Sequence, residues 1–211
     1  MTEPLRVVLA TGNPGKAREF GRLLGPSLLV DSLPGSIALP EETGMTFMAN
    51  ARLKADSVAE ALGFSAAVLA DDSGLEVTGL HGRPGILSAR FAGDGAGDEK
   101  NVAKLLRELG DSKQRGARFV CALCLVLSTP LAVKAGVRHV EVEGVLTGTI
   151  TWAPRGLDGF GYDPVFLPAG WALTLAEAKP ADKDRVSHRG AASRALLRLL
   201  LELHVLGETG V

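Results

Sequence analysis

The sequence predicts an α/β protein built on a mixed sheet, and two observations lead there. Short apolar β-type runs alternate with stretches of helical periodicity, the pattern of a sheet flanked by helices. Two longer β-type runs, ARFVCALCLVLS and RHVEVEGVLTGTI, follow one another in the second half of the chain. Consecutive strands joined by a short connection are antiparallel neighbours, so the sheet is mixed rather than wholly parallel.

The elements follow in order. LRVVLA (Leu5–Ala10) reads as a strand, TGNPGK as a glycine-containing turn, and Ala17–Leu24 as a helix ended by Gly25 and Pro26. LLVDSL is a second strand, and residues 34–44, with Pro34, Gly35, Pro40 and Gly44, are a loop. Thr46 caps a helix running to about Leu62, with Phe47, Ala51, Ala55, Val58 and Leu62 at three- and four-residue spacing. AAVLA (Ala66–Ala70) is a buried strand that delivers the chain to Asp71 and Asp72, and LEVTGL is a short strand after them. Residues 81–97 are glycine-rich loop, and Val102, Leu105, Leu106 and Leu109 mark a helix after Asp98. The two long strands pair through a turn near Pro130, PRGLDGFGYDP is a second loop, and SHRGAASRALLRLLLELHVL is a closing helix capped by Ser187. Its Arg194, Arg198 and Glu202 form a polar stripe.

A chain of 211 residues with a net charge of −1 holds one large domain or two small lobes and lacks the basic excess of a duplex nucleic-acid binder. The opening MTEPLRVVLATGN has no charged segment followed by an apolar one, so no secretory signal is expected. The longest apolar run, Phe119–Leu127, falls far short of the ~20 residues that cross a bilayer. It also contains both cysteines, Cys121 and Cys124. Three positions apart on a strand, they face opposite sides and make neither a zinc nor a redox pair. The expected setting is cytoplasmic, with no membrane or nucleic-acid partner.

The polar clusters fall at strand ends and in loops, where ligands bind in such folds. Thr11, Gly12, Asn13, Pro14, Gly15 and Lys16 form a strand-to-helix turn whose N–H groups suit phosphate, although, taken alone, Asn13 as a helix cap and Lys16 as a surface lysine explain them better. It is not a P-loop, since Ala10 and Ala17 stand where that motif needs glycine and a hydroxyl residue. Glu41 and Glu42 precede the second helix, and Asn50 and Lys54 share one of its faces beside the apolar stripe. Asp71 and Asp72 stand on successive strand-end positions and so point to opposite faces, one bracing the turn and the other facing a cleft. Asp72 with Glu41 would supply the one or two carboxylates that Mg²⁺ takes alongside phosphate and water, while an Asx-turn with Ser73–Gly74 needs no metal. Phe160 and Tyr162, on the loop with Gly161 and Asp163, suit stacking on a base. Lys183, His188 and Arg189 set positive charge at a helix start, against the helix dipole, which points to an acceptor-rich ligand.

Taken together, LATGNPGK, EETGMTFMANARLKA, LADDSGLEV, GRPGILSARFAG, KNVAKLL, PRGLDGFGYDPVF and KDRVSHRG resemble, in this order, the inosine/xanthosine triphosphate pyrophosphatase family. The resemblance runs nearly the full chain. It implies a single catalytic domain over residues 1–211, with an elongated sheet, two lobes and an active-site cleft between them, in a homodimer. The implied activity is Mg²⁺-dependent hydrolysis of ITP, dITP or XTP to a nucleoside monophosphate and pyrophosphate. Thr11 to Lys16 would hold the triphosphate. Glu41 and Asp72 would bind the metal, with Asp72 also accepting the proton of the attacking water. Asn50, Lys54 and Ser73 would touch substrate, while Phe160 to Asp163, Lys183, His188 and Arg189 would hold the nucleoside end. Leu87 departs from the family, which usually has an aromatic residue before SAR, and so does the AKPADKDRVSHR lead-in. A related pyrophosphatase of other modified nucleotides, or a nucleotide sensor without turnover, are the alternatives; a substrate panel and product formation separate them.

Overall fold

The computed structural model describes residues 4–25 and 27–207. Pro26, expected to end the first helix with Gly25, and the first three residues of the opening segment lie outside them. The elements are β1 (Leu5–Leu9), α1 (Pro14–Leu24), β2 (Leu28–Ser32), α2 (Phe47–Ala61), β3 (Ala67–Val77), α3 (Asp98–Leu109), β4 (Gly116–Val126), α4 (Thr129–Ala135), β5 (His139–Ile150), β6 (Phe166–Pro168), α5 (Pro180–Val186) and α6 (His188–Glu202). The sheet has six strands in the order β2-β1-β3-β4-β5-β6. β1 runs parallel to β2 and β3, with Val7 opposite Val30 and Ala67, whereas β5 and β6 are antiparallel, with Ile150 opposite Phe166. The sheet is therefore mixed, as expected.

Local chemistry explains the helix starts. Asn13 caps α1, its Oδ1 accepting from the Gly15 and Lys16 N–H groups, and Pro14 occupies the first turn, where its missing N–H costs nothing. Thr46 caps α2 by accepting from Ala49 N at 3.1 Å.

The chain divides into two compact units, with boundaries inside β3, β4, β5 and the first turn of α6. One comprises the described residues up to Asp72, Cys121–Gly144 and those from Arg189 onward; the other comprises Ser73–Val120 and Val145–His188. In the first, Val7, Leu9, Ala67, Leu69, Cys121, Leu123 and Leu125 pack with Phe20 and Leu24 of α1 and Ala192, Leu196 and Leu200 of α6. Truncating a fully buried Phe20 to alanine there would cost about 3–5 kcal/mol. In the second, Leu75 and Val77 join Val102, Leu105 and Leu109 of α3 with Phe119, Ile150, Tyr162 and Phe166.

Four expectations are corrected. Asp71, Asp72, Ser73 and Gly74 do not form a turn between two strands, because β3 runs unbroken from Ala67 to Val77. These are poor strand formers, but β3 lies between β1 and β4, and this sheet context overrides local propensity. The long strands are joined by α4 rather than by a tight turn. Pro130 reads as a break, yet it lies in the helix's first turn, and Gly136 closes α4 at φ 70°. Residues Gly85–Arg90 of the glycine-rich loop form a 3-10 segment. Finally, a separate helix, α5, precedes α6, so Lys183 lies in the last turn of α5 and not at the start of the closing helix, while Ser187, its N–H donating to Lys183 O at 2.8 Å, stands directly before His188, at the expected N-cap position of α6. No residue of α5 is buried, so its sequence carries no amphipathic signal. Arg194, Arg198 and Glu202 are all exposed on α6, as their spacing predicts.

Candidate active site

In the first unit the chemistry gathers around Asp71 and Asp72. Strand alternation sends the two side chains to opposite faces, and their partners identify those faces. Asp71, 1% exposed, meets Lys16 Nζ of α1 at 2.7 Å. Asp72, 6% exposed, accepts from Asn50 Nδ2 of α2 at 3.0 Å.

The two carboxylates are driven in opposite directions. Burial alone would raise the pKa of Asp71, but the charges of Lys16, Arg189 and Lys54 outweigh it and hold the carboxyl well below the usual range. Asp72 is pushed up by burial, with Glu42 adding to the rise, and Lys54, Asn50 and Lys16 only partly oppose it. Lys54 itself is buried, which disfavours its charge, yet Asp71, Glu42 and Asp72 raise its pKa. Its ammonium lies 2.5 Å from Glu42 Oε1.

In the turn before α1, Asn13 caps the helix as expected. Gly15 N and Lys16 N both donate to Asn13 Oδ1, at 2.8 and 3.2 Å, and Asn13 N donates to Thr11 Oγ1 at 3.2 Å. Gly12 and Pro14 are exposed. Lys16 is not a surface lysine, because its charge is committed to Asp71. Of the two loop glutamates, Glu41 is exposed, while Glu42 pairs with Lys54 and acts on Asp72. Asn50 is fully buried, and its amide is engaged at both ends: Oδ1 accepts from Gly44 N at 2.7 Å while Nδ2 reaches Asp72.

Arg189, on α6 and 5% exposed, donates from Nη1 to Glu19 Oε2 of α1 at 3.0 Å. This partner accounts for one of the basic residues that the sequence placed against a helix dipole. Glu19 itself is a residue the sequence reading missed. The signal was there, since a glutamate beside Phe20 on the buried side of a helix requires a buried counter-charge.

The second unit holds the remaining candidates. Asp163, 3% exposed, closes the loop by accepting from Phe160 N at 2.9 Å, and Lys183 Nζ lies 2.5 Å from the same carboxylate oxygen. Lys183 is therefore balanced by Asp163, and it also stands 4.9 Å from the Phe160 ring centroid. Asp98, at the start of α3, accepts from Gly161 N at 2.6 Å, a tie between distant segments that no spacing reveals. The expectation that Tyr162 stacks on a base is corrected: its ring is in the core and its hydroxyl donates to Ser88 O at 2.8 Å. Phe160 is 36% exposed. His188 lies stacked on Phe119, ring centroids 4.7 Å apart. Ser73, half-buried, follows Asp72 in β3.

Among the described residues no three His, Cys, Asp or Glu side chains cluster as a metal cage. A buried carboxylate with an acidic loop nearby instead suits a hard divalent ion that takes most of its ligands from water and phosphate.

A model of the Ham1 family matches residues 7–199. Among curated proteins, the dITP/XTP pyrophosphatase of an Exiguobacterium species is 47% identical over 91% of this chain and 95% of its own. The protein of the same name from Bacillus subtilis is 44% identical over 92% and 96%. A solved HAM1 protein from Coxiella burnetii superposes with a TM-score of 0.83 at 37% identity, covering 94% of this chain and 99% of that one. A nucleoside-triphosphatase, dITP/XTP pyrophosphatase, from Mycobacterium abscessus gives a TM-score of 0.71 at 42% identity, over 93% and 99%.

Proposed function

The chain belongs to the Ham1 family, and from that premise we propose that it hydrolyses the non-standard purine nucleoside triphosphates ITP, dITP and XTP to a monophosphate and pyrophosphate. The observation that carries this reading is that curated relatives named dITP/XTP pyrophosphatase match nine-tenths of the chain at nearly half identity. The environment of Asp72 supports it: a carboxylate whose proton affinity is raised by burial is a better proton acceptor than an ordinary aspartate.

In the proposed reaction, the oxygen of a water attacks the α-phosphorus, the bond from that phosphorus to the bridging oxygen breaks, and pyrophosphate leaves with the bond's electron pair. The water's proton passes to Asp72. Such transfers depend on positioning and charge neutralisation. Lys16, Lys54 and the Thr11–Gly15 turn are assigned to the phosphates. A divalent cation, Mg²⁺ by preference, held by Glu41 and Asp72 together with water and phosphate oxygens, would supply neutralisation of the phosphate charge. Phe160, Gly161, Asp163, Lys183, His188 and Arg189 are assigned to the nucleoside, Ser73 to a substrate contact, and a homodimer is part of the proposal. Hypoxanthine and xanthine carry an acceptor at position 6 where adenine carries a donor. Donors from Arg189 and the Ser187–Arg189 turn would pair with the first and face the second donor to donor, a mismatch worth up to ~10⁴ in rate.

Among the described residues no helix is long and apolar enough to cross a membrane. The two buried cysteines are unbridged, which supports a reducing, cytoplasmic setting.

The test is release of pyrophosphate, assayed against orthophosphate, from ITP, XTP, ATP and GTP with Mg²⁺. Pyrophosphate from the first two alone is expected. Orthophosphate release, or equal turnover of ATP, overturns the reading.

A further inference from the structure

We propose that Asn50 is a positioning residue: its amide fixes the rotation of the Asp72 carboxylate and ties it to the acidic loop that ends at Gly44. The role deepens the proposed reaction and rests on that reading of Asp72.

Asparagine is a poor choice for a helix interior, and a fully buried amide without partners would be costly. Asn50 stands one turn into α2, and two hydrogen bonds of different sign account for it. The Gly44 N–H can only donate and an ionised Asp72 can only accept. The carboxamide therefore has a single workable orientation, with Oδ1 toward Gly44 and Nδ2 toward Asp72. A side chain of the same shape without both functions cannot make the same link.

Two consequences follow. With Oδ2 of Asp72 held by Asn50, the plane of the carboxylate is set, and so is the direction in which Oδ1 is presented to a water or a cation. A reacting group held to within ~0.5 Å of its productive position needs such a support. The second consequence concerns Glu41 and Glu42. Their loop is pinned at Gly44 to the same amide, so the second acidic residue of the site and Asp72 share one anchor. Gly44 is glycine for that reason: a Cβ there would fall 2.6 Å from Asn50 Oδ1 and 2.9 Å from Ala49 Cβ.

The test uses Asn50→Asp, which keeps the shape and removes the donor, and Gly44→Ala, which presses on the amide from outside the core. Gly35→Ala is the control, in the same loop with nothing within 4 Å of the added carbon. The expected result is a fall in kcat for ITP of about 10²-fold in both test variants with KM within threefold of the parent, and no change for Gly35→Ala. A crystal structure of Asn50→Asp should show α2 unchanged and the Asp72 carboxylate turned. If Asn50 instead touches substrate, KM rises while kcat holds, and the proposal falls. It also falls if Asp72 keeps its orientation in the variant crystal. That last readout needs no substrate, so a parent chain inactive on every triphosphate would sink the proposed function and leave this inference to the crystal structure. Should Asn50→Asp not fold, Gly44→Ala decides by the same split of kcat against KM.

Discussion

Asp71 and Asp72 are adjacent, chemically identical and both buried, yet the structure treats them as opposites. Asp71 meets Lys16 of α1, and the charges of Lys16, Arg189 and Lys54 hold it firmly ionised. Toward α2, Asp72 is desolvated with a glutamate near it, and its pKa is raised. What separates them is the period-two alternation of the strand, which gives each residue a different helix for a neighbour. A carboxylate locked in its charged form serves structure and electrostatics, and one poised to take a proton serves chemistry.

The most direct way to break this comparison is to neutralise each aspartate in turn. Asp72→Asn should lower turnover of ITP by about 10²–10⁴-fold with little change in melting temperature; retained activity would remove Asp72 from the reaction. Asp71→Asn should act on the fold, costing about 3–5 kcal/mol in urea unfolding because Lys16 loses its buried partner. The folded pKa of Asp71 is depressed, so its stabilisation is present above the unfolded value near ~3.9 and is lost as pH falls through the folded one. The variant should therefore lose stability less steeply than the parent on acidification below that value.

Cys124 sharpens the contrast with a group whose burial Arg52 only partly offsets. Its thiol is pushed up to about 12 by burial, with Glu141 and Asp56 adding to the rise. An unfolded thiol ionises near ~8.5, so the stabilisation is complete below that value and is lost as pH rises toward the folded one. Between pH ~8.5 and ~10 the parent should lose about 2 kcal/mol that Cys124→Ala does not. Equal slopes in the two proteins would show that the thiol is not shielded. The smallest effect belongs to the exposed stripe of α6, where Arg198→Ala should shift stability by less than about 0.5 kcal/mol. A larger loss would mean that this face is covered by something.

The alternation of strands and helices was legible because each early element carries its own local signal: Thr46 as a cap, the spaced apolar residues of α2, Asn13 and Pro14 before α1. The opposite facing of the two aspartates was legible too, since it follows from strand geometry alone. What was not legible were features set by partners far along the chain. β3 continues through Asp-Asp-Ser-Gly because neighbouring strands flank it, and Lys183 is balanced by Asp163, twenty residues away. Asp98 holds Gly161 across 63 positions, and Glu42, not Glu41, meets Lys54. A cap or a periodic stripe is a property of ten neighbouring residues, whereas an ion pair between loops is a property of the folded chain.

The unbroken β3 bears on how the strand finds its register. In most strands one face is apolar and the other polar, so a slip of one residue is punished along the whole length. Ala67, Val68, Leu69 and Ala70 are buried on both faces, and a one-residue slip there would exchange one apolar side chain for another. The residues that do distinguish the registers are Asp71 and Asp72, because only one alignment brings a carboxylate to Lys16 on one side and to Asn50 on the other. The groups proposed for the chemistry thus also key the strand into its place, and a deletion in β3 would disturb catalysis and sheet pairing together.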